Sequence, residues 1–128
     1  MSMNLVDSCG WLEFFADGPN AHFFEKPLAQ TEYLIVPSLC IYEVFKSILR
    51  QKDEDAALQA ISVMRQGRVI DIDMPIALAA AKISLNLSLP LADSIIISTA
   101  RAYDALIWTQ DADFKGVGGV NYIEAKKK

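Results

Sequence analysis

The sequence predicts an α/β fold, one domain in which a parallel β-sheet carries helices on both faces. Two observations predict it. Short apolar runs alternate along the chain with helical segments of amphipathic pattern. Acidic residues gather where those runs end, the place at which ligands bind open α/β sheets. A length of 128 residues is enough for one domain with a real core and too short for two, so residues 1–128 are expected to form a single unit.

Asn4-Leu5-Val6 reads as a first short strand, ending in Asp7-Ser8-Cys9-Gly10. Trp11–Ala16 follows as a brief helix, closed by the turn signal Asp17-Gly18-Pro19. Ala21–Gln30 is read as helical, and Tyr33–Val36 as a second buried strand stopped by Pro37. Ser38 is placed to cap a helix over Leu39–Gln51. The apolar stripe of that helix, centred on Phe45, holds Ile41, Tyr42, Ile48 and Leu49, which puts Glu43 on the opposite side with Ser47 and Arg50. Asp53–Gln66 opens with Asp53, Glu54 and Asp55, favourable at a helix N-terminus, and Gly67 is expected to end it.

Val69–Ile72 is the third strand. Asp73 then caps Met74–Asn86, with Pro75 in its first turn. A second helix begins after Pro90, with Ala92, Ile96, Thr99, Ala100 and Tyr103 on its apolar side and Ser94, Ser98 and Arg101 away from it. Asp93 falls on the apolar side, about 60° from the centre of the stripe. A carboxylate there faces the interior and is neutralised unless something compensates it. Ala105–Thr109 is a fourth buried strand, followed by Asp111 and Asp113. After the glycines at 116–119, Val120–Ile123 is the last strand, and Lys126-Lys127-Lys128 is read as a solvated tail.

Hydrophobic residues make up 52% of the chain and charged residues 22%, the composition of a folded domain. No apolar run reaches the ~18 residues of a membrane span, and no basic region precedes an apolar stretch at the N-terminus. The expected compartment is therefore the cytoplasm, with no membrane partner, and Cys9 and Cys40 are read as reduced core thiols. A net charge of −4 is not that of an ordinary nucleic-acid binder, so bound cations or a partner chain would have to offset it.

If the first and fourth strands are neighbours, Asp7 meets Asp111 at their C-terminal ends. Several carboxylates in one cleft repel each other, and a hard divalent cation such as Mg²⁺ or Mn²⁺ removes the conflict. A site of that kind suits phosphodiester chemistry. Each acid also has an ordinary structural role open to it: Asp7 as turn former or helix cap, Asp93 as a first-turn acid, Asp111 and Asp113 as loop residues, Glu43 as a solvated residue near Lys46 and Arg50. Their joint placement is what favours a cleft. Other chemistries lack residues. His22 is the sole histidine, which excludes a two-histidine nuclease and is read as a surface residue. No phosphate-cradling glycine loop is present, and Cys9, His22 and Cys40 match no zinc spacing.

Asp7-Ser8 after a first strand, Pro37-Ser38 ahead of Glu43, Leu91-Ala-Asp93-Ser94 and Thr109-x-Asp111-x-Asp113-Phe114 together resemble the PIN domain. Size and chain order are most similar to the VapC-type toxins of bacterial toxin–antitoxin pairs. The resemblance implies a metal-dependent endoribonuclease, usually a homodimer inhibited by an antitoxin. It implies Asp7, Glu43, Asp93 and Asp111 as the acids that hold Mg²⁺ or Mn²⁺, Asp113 as an auxiliary acid, and Ser8 and Thr109 as residues positioning water or phosphate. Glu43 enters by the resemblance, against the helical wheel. Two other readings stay open: a receiver-like Mg²⁺-binding signalling domain, and a catalytically silent PIN-fold protein that only binds partners.

Overall fold

Val6 pairs with Trp108 at the centre of a five-stranded parallel sheet, and the rest of the chain is wound around that pairing. The computed structural model describes residues 2–127. The elements run β1 (Met3–Val6), α1 (Ser8–Phe15), α2 (Ala21–Leu28), β2 (Leu34–Pro37), α3 (Ser38–Gln51), α4 (Glu54–Met64), β3 (Arg68–Ile70), α5 (Met74–Leu87), α6 (Leu91–Ala102), β4 (Ala105–Thr109) and β5 (Val120–Tyr122). One-turn 3-10 segments at Thr31–Tyr33 and Ala112–Phe114 complete the order. Lys128 of the basic tail lies outside the described residues. No single helix among them is long and apolar enough to cross a membrane.

The strand order is β3-β2-β1-β4-β5. The chain moves outward from β1 to β3 through α1–α4, then crosses back to β4 through α5 and α6. Right-handed crossovers in opposite directions put these two helix groups on opposite faces of the sheet, as the sequence predicts. The reversal happens between β1 and β4, and it opens a crevice beyond their C-terminal ends. The order is not the 2-1-3-4-5 of receiver domains, so the receiver-like reading is set aside. Leu5, Val6, Leu34, Ile35, Val36 and Ile107 form the buried centre of the sheet; Trp11, Phe24, Val44 and Met64 belong to the helices of one face and Ile76, Ile96 and Ile97 to those of the other.

Local signals fixed most boundaries. Asp53 and Asp73 cap α4 and α5, accepting from the backbone N–H of Ala56 at 2.8 Å and Ile76 at 2.9 Å. Four expectations need correction. α1 begins at Ser8, not Trp11, because the Asp7 carboxylate accepts from the Ser8 N–H at 2.8 Å and starts the helix at once. Ser38 makes no capping bond; Pro37 ends β2 in extended conformation and Ser38 is already helical. Gly67 lies three residues past the end of α4 and serves a close approach, since a Cβ there would sit 2.9 Å from Val36 and 3.0 Å from the Leu34 carbonyl.

The fourth correction concerns faces. In α3 the fully buried residues are Cys40 and Val44, while Tyr42 is 59% and Leu49 43% exposed. The inward face is rotated from the apolar stripe, and this brings Glu43 to a half-buried position. In α6 every residue from Asp93 to Ala100 is buried, Ser94 and Ser98 included. α5 covers the side that the wheel left to solvent, and the Ser98 hydroxyl donates to the Ile76 carbonyl at 2.8 Å.

Candidate metal centre

Asp7 sits at the first position beyond β1, where its backbone N–H still donates to the Trp108 carbonyl at 3.0 Å. That ladder bond fixes the residue against β4. Its carboxylate is 6% exposed and is held on both oxygens. Oδ1 accepts from the Ser8 N–H at 2.8 Å, and Oδ2 accepts from the Thr109 hydroxyl at 3.0 Å. The Cys9 thiol approaches Oδ2 at 3.5 Å. Burial dominates these favourable bonds and raises the Asp7 pKa to about 6, with the Glu43 charge adding to the effect.

Glu43 enters from the first turns of α3. The Ser8 hydroxyl donates to its Oε1 at 2.6 Å, so Ser8 ties Glu43 to the start of α1 while its backbone N–H holds Asp7. Cys40 lies three residues before Glu43, hence on the same side of the helix. Asp7, Cys40 and Glu43 each present a donor atom within 4.8 Å of the others.

A second corner is formed by Asp93, Asp111 and Asp113, whose carboxylate oxygens also lie within 4.8 Å of one another. Asp93 comes from the first turn of α6 and is 8% exposed. Asp111 is the residue before the 3-10 turn, and its Oδ1 accepts from the Asp113 N–H at 2.9 Å. The Thr109 hydroxyl accepts from the Asp111 N–H at 3.0 Å, linking this corner to Asp7. The Asp93 pKa is raised to about 7, first by burial, then by the facing Asp113 carboxyl and by the charges of Asp111 and Asp7.

All seven residues singled out in the sequence thus lie at one end of the sheet, but as two corners. The ordinary roles hold alongside: Asp7 does start a helix, and Asp111 does cap a turn. His22 is on the surface, paired with Glu25 at 3.3 Å, the one ion pair among the described residues. No lysine or arginine therefore neutralises Asp7, Glu43, Asp93, Asp111 or Asp113 there. Buried like charges with raised pKa values and no cationic side chain are what a hard divalent cation would compensate, and the oxygen donors fit one.

The thiols are what sequence reasoning placed least well. Cys40 is fully buried, as expected, but at the acid cluster. Cys9 is only half-buried, between Asp7 and the Thr109 hydroxyl at 3.3 Å, and burial followed by the Asp7 charge pushes its pKa up to about 12. The spacing Cys40-x-x-Glu43 was the available signal.

A family model for the PIN domain matches residues 5–120. No curated protein sequence matches. Among solved structures, a toxin–antitoxin complex from Klebsiella pneumoniae is 23% identical, with 92% of this chain and 95% of that chain covered at a TM-score of 0.77. A DNA-bound VapBC from Salmonella typhimurium is 15% identical over 97% and 98%, with a TM-score of 0.76. The Mycobacterium tuberculosis toxin VapC20, described as cleaving the sarcin–ricin loop, is 15% identical over 89% and 94%, at 0.73.

Proposed function

The chain belongs to the PIN domain family, and from that premise we propose that it is a divalent-metal-dependent endoribonuclease acting as the toxin of a toxin–antitoxin pair. The observation that carries this reading is the acid set at the β1–β4 crevice, buried, mutually repelling and without a cationic side chain. A silent binding protein has no use for such a set.

Asp7, Glu43, Asp93 and Asp111 would hold Mg²⁺ or Mn²⁺, with Asp113 as an auxiliary acid on the exposed rim. Bound there, the cation supplies activation of water and charge stabilisation on the phosphodiester, so the substrate's 2′-hydroxyl is not needed as nucleophile. Thr109 orients Asp7 Oδ2 and ties it to the Asp111 backbone, keeping the two strand-end acids in register. Ser8 holds Glu43 toward the crevice. Both hydroxyls stand beside the carboxylates, where they can also position water or a phosphate oxygen.

The toxin reading rests on the family and on the similarity to toxin–antitoxin structures. Apolar surface supports protein partners, a second copy and an antitoxin. On α5, Met74 is 73%, Leu78 62% and Leu85 84% exposed. A groove of about 650 Å³ between α1, α3 and α4, with Leu12, Phe15, Ile48 and Val63 in its lining, reaches the acids only through Cys9. The compartment consistent with this role is the cytoplasm.

The test is cleavage of a structured RNA by the purified, partner-free chain. Cutting with Mg²⁺ or Mn²⁺ that stops on chelation is the expected result. Cutting that survives exhaustive chelation, or an inert chain with either ion, would overturn the proposal.

A further inference from the structure

The two corners of the acid cluster differ in chemistry. Asp93, Asp111 and Asp113 offer oxygen alone. The other corner offers two carboxylates and a sulfur, with Cys40 set one turn before Glu43. We propose that Asp7, Cys40 and Glu43 form a binding site for a thiophilic divalent cation of the Zn²⁺ class, so that this corner distinguishes soft from hard metal ions. The inference rests on the reading of Asp7 and Glu43 as cation ligands.

Three observations carry it. The Cys40 side chain has no exposed surface, and its only contact with a hydrogen-bond acceptor is the Val6 carbonyl at 4.0 Å, too long to satisfy the thiol. That unsatisfied polar group lies among the carboxylate oxygens. The Ser8 hydroxyl gives its proton to Glu43 Oε1 at 2.6 Å, so it does not serve the sulfur. Finally, no cationic side chain is available to the corner among the described residues.

Distances and preferences agree with such an ion. Zinc bonds of ~2.3 Å to sulfur and ~2.0–2.2 Å to oxygen put tetrahedral ligands roughly 3.5 Å apart. The three donors, all within 4.8 Å, need close by no more than about an ångström. Glu43 is half-buried and leaves an entry from its side. Only the thiolate ligates, so Cys40 releases its proton to solvent as the ion binds. Mg²⁺ takes oxygen ligands and gains nothing from the sulfur, whereas thiolate and carboxylate together suit zinc. Zn²⁺ at this corner then competes with the hard cation for Asp7 and Glu43.

The experiment adds Co²⁺ alone, as a spectroscopic stand-in, and Zn²⁺ alone, by calorimetry, to the full metal-free chain. We expect a near-ultraviolet sulfur-to-cobalt charge-transfer band in the wild type and in Cys9→Ser. The band should be absent in Cys40→Ala and in Cys40→Val, the latter filling the core position if alanine loosens it. Loss of Zn²⁺ affinity in either Cys40 variant should exceed the ~10–100-fold that removal of an outer-shell partner brings. A wild type without the band overturns the inference, as does a band or Zn²⁺ affinity that persists without the Cys40 sulfur. RNA cleavage is read separately: a chain that cuts with Mg²⁺ but shows no band loses this inference and keeps the nuclease reading, and the reverse result does the opposite.

Discussion

The Thr109 hydroxyl joins two strand ends: it donates to Asp7 Oδ2 at 3.0 Å and accepts from the Asp111 N–H at 3.0 Å. Thr109 is fully buried, so neither bond is exchanged with water. Thr109→Val keeps the shape and removes both. The loss of a buried partner should destabilise the protein by about 1–3 kcal/mol. Cleavage should fall roughly 10–100-fold, as for loss of an outer-shell partner. Thr109→Ser should restore both. Urea unfolding and RNA cleavage with Mg²⁺ measure the pair, and a fully active valine variant would deny Thr109 its positioning role.

Acid should stabilise the metal-free protein. The folded pKa values of Asp7 and Asp93 are raised to about 6 and about 7. The folded state therefore holds these protons more tightly than the unfolded chain does, and the linked stability is complete below the unfolded carboxyl value. It is lost as pH rises through about 6 and then 7. The urea midpoint without metal should be higher at pH ~5 than at pH ~8, and added Mg²⁺ should narrow the gap by stabilising the ionised site. A metal-free midpoint that climbs across that window would contradict the repulsion.

Asp93→Asn removes one charge from the cluster with little change of shape. It should abolish cleavage yet leave the metal-free protein as stable as wild type or more so, while Mg²⁺ stabilises wild type more than the variant. A purely capping or dipole-stabilising Asp93 predicts the reverse, a loss of roughly 0.5–2 kcal/mol and no influence of metal. Unfolding of both proteins with and without Mg²⁺ separates the two. A weakened variant that still cuts RNA would remove Asp93 from the metal site.

Exposed Met74, Leu78, Leu85 and Leu91 form more apolar surface than a solitary small domain ordinarily leaves in water. Light scattering at micromolar concentration should find a dimer. A clean monomer over that range would count against self-association and leave the surface to another partner.

Elements whose signals are local were legible in the sequence. β4 follows the predicted span because Ala105–Thr109 is a short apolar run with nowhere to lie except inside a sheet. α4 and α5 start where Asp53 and Asp73 satisfy orphan N–H groups three residues on. The inward aim of Asp93 was legible too, since it depends only on helical geometry around neighbouring apolar residues.

Faces and meetings between distant segments were not. Glu43 looked solvated because Tyr42, Phe45 and Leu49 define the most apolar stripe of α3, but α3 turns Cys40 and Val44 to the core and leaves Tyr42 and Leu49 exposed. Which side of a helix is buried depends on the elements packed against it, and a helical wheel contains only the helix itself.

By itself, then, the sequence determined the alternation that makes a parallel sheet, the caps, and the stock of acids with no histidine pair to replace them. Only the tertiary structure decided that those acids stand as two corners and that the Cys40 thiol belongs to one of them. The pairing of β1 with both β2 and β4 brings residues 7, 40 and 109 to one crevice. Contacts across such separations are fixed by how the chain closes on itself, and no local pattern of residues encodes them.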